Sequence, residues 1–499
     1  MKKFILNALA VFTAVCIFAA FTSCRFGVHE GKYDTGDGVD KEPVDTEDYI
    51  LFEDDGYIEE AKIEHKNRLI NIAKTEQWKT SDTVIKTALS EIITGEMQNY
   101  AGISDPTFSE RKTETLSVKP LANDDRSSKS KIPECKEFEL IIYDINASSF
   151  KWHAITSTDK RIGNVIALIE SEYTEDISDC DFAVDFKERL GEYVQQIADV
   201  WNSITDEDLN QTKSLNNENM TRTPPPFSVD PDYEFDNWKR HSGENRYILK
   251  TKWDQSYPPF NSCVQAVKGS NIGHAGCVTV QVGQILAFHK YTKQSSSPHL
   301  ATIKRSWQLA KDWNGKYDWD VLTKEVKPNN NSLEKVKIQV GALLYDIAEG
   351  CGAEYTNDVT TIEYGDRNRY LKKKCGYKHK GTSNYSLKKI KKSIDAGCPV
   401  PITGSSKKGK TGHAFIVDGY YTLSCTATKK KSSEAPIQVM DEFVHCNIGW
   451  GGLQDGYYLS GVFAVYRGGL TTDENISRSA EVAYYYQYDL KQLNMLRPK

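Results

Sequence analysis

The chain of 499 residues has no basic excess: 63 Lys and Arg against 69 Asp and Glu give a formal charge of −6. Nucleic-acid binding needs a positive face for the phosphate backbone, so that class of partner is set aside. There is no Cys-x-x-Cys pair among the eleven cysteines. Cys375 with His379, and His445 beside Cys446, have no partner pair at zinc-finger spacing, and no metal or other cofactor is expected. With 39% hydrophobic and 26% charged residues, the composition is neither that of a disordered chain nor that of a multi-span membrane protein. It is also too long for one ordinary core, which predicts two or three domains.

The first apolar run is at the N-terminus, where Lys2 and Lys3 precede Phe4 to Phe21, followed by Thr22, Ser23 and Cys24. This order is that of a secretory signal. A cysteine directly after small residues resembles a bacterial lipoprotein signal, which implies that Cys24 is acylated as the first mature residue. Residues 1–24 are then signal, and the product is exported and lipid-anchored at the cell envelope, outer membrane or cell surface. The other reading is an uncleaved anchor, for which the run is near the lower length limit. Setting Cys16 and Cys24 apart leaves nine cysteines, so at least one thiol stays free if the rest pair.

Residues 25–131 read as tether, helical segment and linker. Leu69, Ile72 and Ala73, then Ile85, Leu89, Ile92 and Ile93, recur at helical spacing, whereas Ser104 to Lys131 is polar enough to predict a mobile linker. Residues 132–205 predict a small α+β unit. Its strands are Phe138–Tyr143 and Asn164–Ile169; its helix carries Phe186, Leu190, Tyr193, Val194, Ile197 and Trp201 on one face. Residues 206–232 hold Pro224, Pro225 and Pro226 with almost no periodic apolar signal, and are read as a protease-sensitive linker. Residues 233–499 suit one α+β domain.

That last domain carries the chemistry. Cys277 follows Gly273, His274, Ala275 and Gly276 and precedes an apolar stretch to His289. If the stretch is helical, its dipole favours a thiolate at Cys277, but Val278, Val280 and Val282 also alternate like a strand. His413 stands 136 residues later, within the roughly 130–150 residues that separate cysteine and histidine in papain-type sequences. Asn447 can accept from an imidazole and hold its tautomer, and Trp450 can shield that bond from water. Gln255, beside Trp253, is the candidate second oxyanion donor with the Cys277 backbone N–H, although it lies 22 residues before the cysteine.

Four blocks together resemble the streptopain family: Trp253-Asp254-Gln255 with Tyr257-Pro258, the run ending Gly276-Cys277, Gly412-His413-Ala414-Phe415, and Asn447 to Tyr458 around Trp450. The resemblance covers about Trp253 to Tyr486. It implies a papain-like fold, with a helical lobe carrying the cysteine helix and an antiparallel β lobe carrying His413 and Asn447. It further implies a monomeric endopeptidase acting on protein or peptide substrates without a cofactor. The segment Ile155 to Arg161 and the helix to Trp201 are similar to that family's inhibitory pro-domain, implying a zymogen inhibited by its own N-terminal unit. Two departures are visible. Ile448 stands where the family usually has an aromatic residue, predicting a thinner shield over His413, and Tyr257 to Asn261 is one residue longer than the family run.

Taken singly, these residues have plainer readings. Cys351, Cys375, Cys398, Cys425 and Cys446 suit buried thiols or disulfide partners, His274 a hydrogen bonder near the nucleophile or a subsite wall, and Trp450 with Gly451-Gly452 a hairpin. The competing functions are a silent binding lipoprotein on the same scaffold and a transglutaminase-like acyltransferase. The complete Cys-His-Asn set opposes the first, and an asparagine in place of aspartate opposes the second.

Overall fold

The apolar periodicity of the N-terminal region folds as it predicts. Leu69, Ile72 and Ala73 lie in a helix over residues 66–75, and Ile85, Leu89, Ile92 and Ile93 in helix α1 (Asp82–Met97), all buried in one core. The computed structural model describes residues 66–97, 105–119, 132–147, 150–170, 181–210, 233–236, 238–240, 247–326, 333–357, 359–405, 412–430, 432–433, 435–464 and 490–499. The leader to Cys24, the tether and residues 211–232 of the linker lie outside them. Among the described residues no helix is long and apolar enough to cross a membrane.

The expected linker is in part a strand. Thr107–Ser117 forms β1, antiparallel to β2 (Glu137–Ala147), with a register shift between Glu110 and Lys112. Its composition misleads because an edge strand needs little apolar surface: Phe108 and Leu116 pack on the core while the partner supplies the backbone pairing. Strands β3 (Phe150–Thr156) and β4 (Val165–Glu170) continue the meander. Helix α2 (Asp181–Ser203) lays its predicted apolar face into the same core. The linker also begins with a short helix, Asp206–Asn210, where Thr205 and Asp208 bond reciprocally in a capping box and Leu209 is buried.

The valines whose alternation also suited a strand lie in helix α3 (Cys277–His289), which is buried almost all round. It packs against α4 (Glu334–Gly350) and α5 (Tyr364–Lys373) on one side and against strand β6 (Gly412–Lys429) on the other. Gly283 permits this closeness. A Cβ there would lie 2.7 Å from the Trp253 ring and 2.8 Å from Leu344. β6 pairs with β5 (Val400–Ser405) and β7 (Ile437–Asn447), and β7 with β8 (Gly456–Leu459), all antiparallel.

The architecture is therefore α+β, with one core under the sheet and N-terminal unit and a second around α3. The two regions are not separate in the sheet. Gly456, Tyr457 and Tyr458 of β8 pair with Ile169, Leu168 and Ala167 of β4, making one twelve-stranded sheet among the described residues. The N-terminal unit is docked by strand addition, so backbone hydrogen bonds hold it to the strand that follows the Asn447–Trp450 loop.

Candidate active site

Cys277 is the first residue of α3, preceded by Gly276 at φ +99°. That backbone favours glycine, and a Cβ would also lie 3.1 Å from Thr360. The thiol is nearly buried at a helix N-terminus, where unpaired N–H groups favour negative charge. His274 lies just upstream, its Nδ1 2.7 Å from the Ser256 hydroxyl and its carbonyl accepting from Thr360. The 22-residue gap to Gln255 is closed by the fold. The Gln255 carbonyl accepts from Ala275 N at 2.7 Å, placing that buried residue beside the loop that delivers Cys277. Trp253 is fully buried, and its carbonyl accepts from Gly451 N. Burial raises the neighbouring Asp254 carboxyl to about 6, against hydrogen bonds from Ser256, Tyr257 and Gln255 backbone that lower it.

His413 enters from β6, opposite Gly404 of β5. Its Nε2 lies 2.8 Å from the backbone carbonyl of Ile448. A carbonyl can only accept, so Nε2 carries the proton and Nδ1 is left as the basic nitrogen. Trp450 meets the imidazole edge-on, with centroids 5.1 Å apart, where a shield was expected.

Asn447 differs from expectation. Its Oδ1 accepts from Gln284 Nε2 at 2.9 Å and its Nδ2 donates to the Thr251 carbonyl at 2.8 Å; the bond expected between Asn447 and His413 is made by Ile448 O instead. Asn447 pairs with Ile416 at the end of β7, and its amide is taken up by Gln284 of α3 and by the Thr251 carbonyl. The absent aromatic side chain at 448 thus matters less than the position-448 carbonyl, which any residue supplies.

Gln281 and Gln284 were missed as functional candidates. On this otherwise apolar helix, two amides three residues apart are the signal that could have found them. Gln281 Nε2 donates to the carbonyls of Ile402 and Phe415, at 2.8 and 2.5 Å, tying α3 to β5 and β6. Its Oε1 accepts from Arg367 Nη1 at 2.8 Å. Arg367, on α5, is wholly buried; its Nε and Nη2 both donate to Asn368 Oδ1. Burial lowers this guanidinium to about 10, with the Cys351, Tyr364 and Cys277 thiol or phenol charges raising it. Gln284 Oε1 accepts from Thr251 Oγ1, completing a second bolt to Asn447. Cys277 and His413 are therefore carried by elements cross-linked through buried amides, a rigid mounting for a thiol and an imidazole.

Asp455 was also missed as an individual residue, though it stood within the last motif. It is 2% exposed, and its Oδ1 accepts from Ile448 N at 2.7 Å. Burial raises its carboxyl to about 7, against the Ile448 hydrogen bond and the charges of His445 and Lys252, while Glu170 raises it further. Ionising it therefore costs the fold. The native state binds more protons than the unfolded chain between the ordinary aspartate value of about 4 and about 7, so this group's stabilising share falls as pH rises through that window and is gone above it. Asp455→Asn is expected to gain a few degrees in melting temperature relative to wild type at pH 8 but not at pH 4. Thermal melts at both pH values check this; an equal shift at both would contradict it.

All eight described cysteines are free and buried, so none pairs with another described cysteine. Burial pushes Cys135 up to about 11 and Cys375 and Cys425 up to about 12; Cys263, Cys351, Cys398 and Cys446 are raised too. Among the described residues no three His, Cys, Asp or Glu side chains gather closely enough to share a metal ion.

Residues 253–458 match the Peptidase C10 family. The chain is 24% identical over 224 residues to the thiol protease/hemagglutinin PrtT of Porphyromonas gingivalis, an overlap of 42% of this chain and 23% of that protein. It is 24% identical over 201 residues to streptopain of Streptococcus pyogenes, covering 37% of this chain and 44% of streptopain. It thus spans less than half the length of these curated relatives. The matched segment, which holds the Cys277 helix and the His413 strand, is thus similar to the Peptidase C10 family and to streptopain.

Proposed function

We propose that the protein is a cysteine endopeptidase that cleaves protein substrates with Cys277 as nucleophile and His413 as base. The observation that carries this reading is the Nε2–H of His413 held by Ile448, which leaves Nδ1 basic, on a strand bolted to the helix that begins at Cys277. Nδ1 of His413 takes the Cys277 thiol proton, the thiolate attacks the peptide carbonyl, and the oxyanion is met by the Cys277 N–H with the Gln255 amide as its partner donor. His413 gives its proton to the leaving amine, forming the acyl-enzyme. Water then adds to the thioester carbonyl while His413 takes its proton, and the thiolate leaves. Asn447 serves this site through Gln284, as a structural tie between the helix and β7.

The wider reading is a papain-like arrangement made as an exported, lipid-anchored precursor, acylated at Cys24 and inhibited by its own N-terminal unit until the chain is cut within residues 206–232. Export is supported by the apolar leader.

Limited iodoacetamide tests the nucleophile. Alkylation is expected at Cys277 well ahead of the seven other described cysteines, which burial keeps protonated, with casein hydrolysis falling in proportion to Cys277 occupancy. Peptide mapping and residual activity check this. Activity retained after complete Cys277 modification would sink the assignment.

A further inference from the structure

We propose that Asp455 is the positioning residue for the His413 base, acting through the peptide unit of Ile448. The inference rests on the reading of His413 as base and adds a residue that the Cys-His-Asn pattern does not contain. The geometry is a two-bond relay. Asp455 Oδ1 receives Ile448 N–H at 2.7 Å, and the Ile448 carbonyl receives His413 Nε2–H at 2.8 Å. The acceptor on His413 is therefore a backbone atom whose direction is set by how its peptide plane is held. Ile448 is fully buried, so its N–H has no water to fall back on if Asp455 is lost.

Asp455 is itself held firmly. It follows Gln454, at φ +66°, and its own carbonyl accepts from Glu170 N at 2.8 Å. The charged groups facing it are His445 of β7, Lys252 of the segment before Trp253, and Glu170 of β4. His445 is in turn paired with the buried Asp418 of β6 at 2.6 Å and stacked on Tyr247, and Lys252 is paired with Glu170 at 2.6 Å. Asp418 takes only Nδ1 of His445, whose Nε2 is buried without a hydrogen-bond partner, and the hydrogen bond made by the Asp455 carboxyl is the one from the Ile448 peptide.

A chain of hydrogen bonds polarises its members, so an ionised Asp455 makes the Ile448 carbonyl a stronger acceptor and favours the imidazolium form of His413. Protonation of Asp455 weakens that pull. The raised carboxyl value, about 7, puts the change in the range where a thiol peptidase works, and a carboxylate kept at a cost to the fold is what functional sites tend to contain.

The test uses the full chain with Asp455→Asn and Asp455→Ala. Two readouts are followed from pH 5.5 to 8.5: the rate of Cys277 alkylation, and kcat and KM on a peptide substrate, normalised to folded protein. Asp455→Asn keeps an acceptor oxygen but cannot ionise. Its alkylation rate is expected to match wild type below pH 6, to fall about threefold or more behind it at pH 8, and to lack the wild-type inflection near 7. Asp455→Ala is expected to lower kcat about tenfold or more with KM within twofold, because the base is misdirected while the substrate cleft is untouched. An Asp455→Asn profile that superimposes on wild type, or that is lowered by one constant factor at every pH, overturns the proposal, since a merely structural role predicts one or the other. If Asp455→Ala does not fold, Asp455→Asn alone decides. Wild-type protein cut within residues 206–232 that alkylates at Cys277 but hydrolyses no peptide would end the peptidase reading, and the alkylation profiles would still decide the role of Asp455.

Discussion

Cys277→Ala is expected to abolish both casein hydrolysis and self-cleavage within residues 206–232, a fall of about a millionfold if the nucleophile and base act as a unit. The magnitude follows from the absence of a substitute. Seven other cysteines are described, and each has its thiol raised by burial. None of those seven begins a long buried helix as Cys277 does. Loss of the sulfur also removes the acyl-enzyme route altogether, leaving only the oxyanion donors and substrate binding, which act on a step that has no nucleophile. The fold should tolerate the change, because alanine suits the first turn of a helix and the volume lost is one sulfur. The measurement is gel analysis of full-length chain over time beside casein turnover, with a melting curve to show that the variant is folded. A folded Cys277→Ala chain that processes itself and digests casein at the wild-type rate would remove the nucleophile assignment.

Arg367→Ala is expected to be the most damaging change to stability, costing about 3 kcal/mol or more and lowering the melting temperature by roughly 10 °C. Arg367 is wholly buried, and its partners are amide oxygens: Gln281 Oε1 through Nη1, and Asn368 Oδ1 through Nε and Nη2. Alanine leaves both oxygens buried without those donors and opens a space the size of a guanidinium in the core around α3. The damage should also reach the chemistry, because the Gln281 amide that Arg367 orients is the group tying α3 to the His413 strand. Arg367→Lys should recover only part of the loss, since one ammonium cannot reproduce a planar fork shared between two acceptors. Thermal melts of both variants, with activity per folded molecule, check this. A melting temperature within 2 °C of wild type for Arg367→Ala would show that the network contributes little.

Much of the local structure was legible in the residue pattern. The order and spacing of Cys277 and His413, the helical periods at Leu69–Ile93 and Phe186–Trp201, and the β-prone runs at Phe138 and Val165 each depend on residue type and short-range period, which sequence states directly. The edge strand Thr107–Ser117 was hidden because its pairing is supplied by another strand and its own residues look like those of a linker.

Other features depended on contacts between residues far apart in the chain. The valines after Cys277 are compatible with helix or strand, and in the fold they lie in a helix packed among α4, α5 and β6. The 22-residue separation of Gln255 from Cys277 is cancelled by one backbone hydrogen bond to Ala275. The partner of His413 is a carbonyl, which every residue carries and no motif can mark, whereas Asn447, which a motif does mark, is bonded to Gln284. Residue types thus determined which chemistry was available, a thiol, an imidazole and amides in a given order. Which of those groups meet was left to strand register and helix packing, because hydrogen bonding selects atoms by direction and distance rather than by residue name.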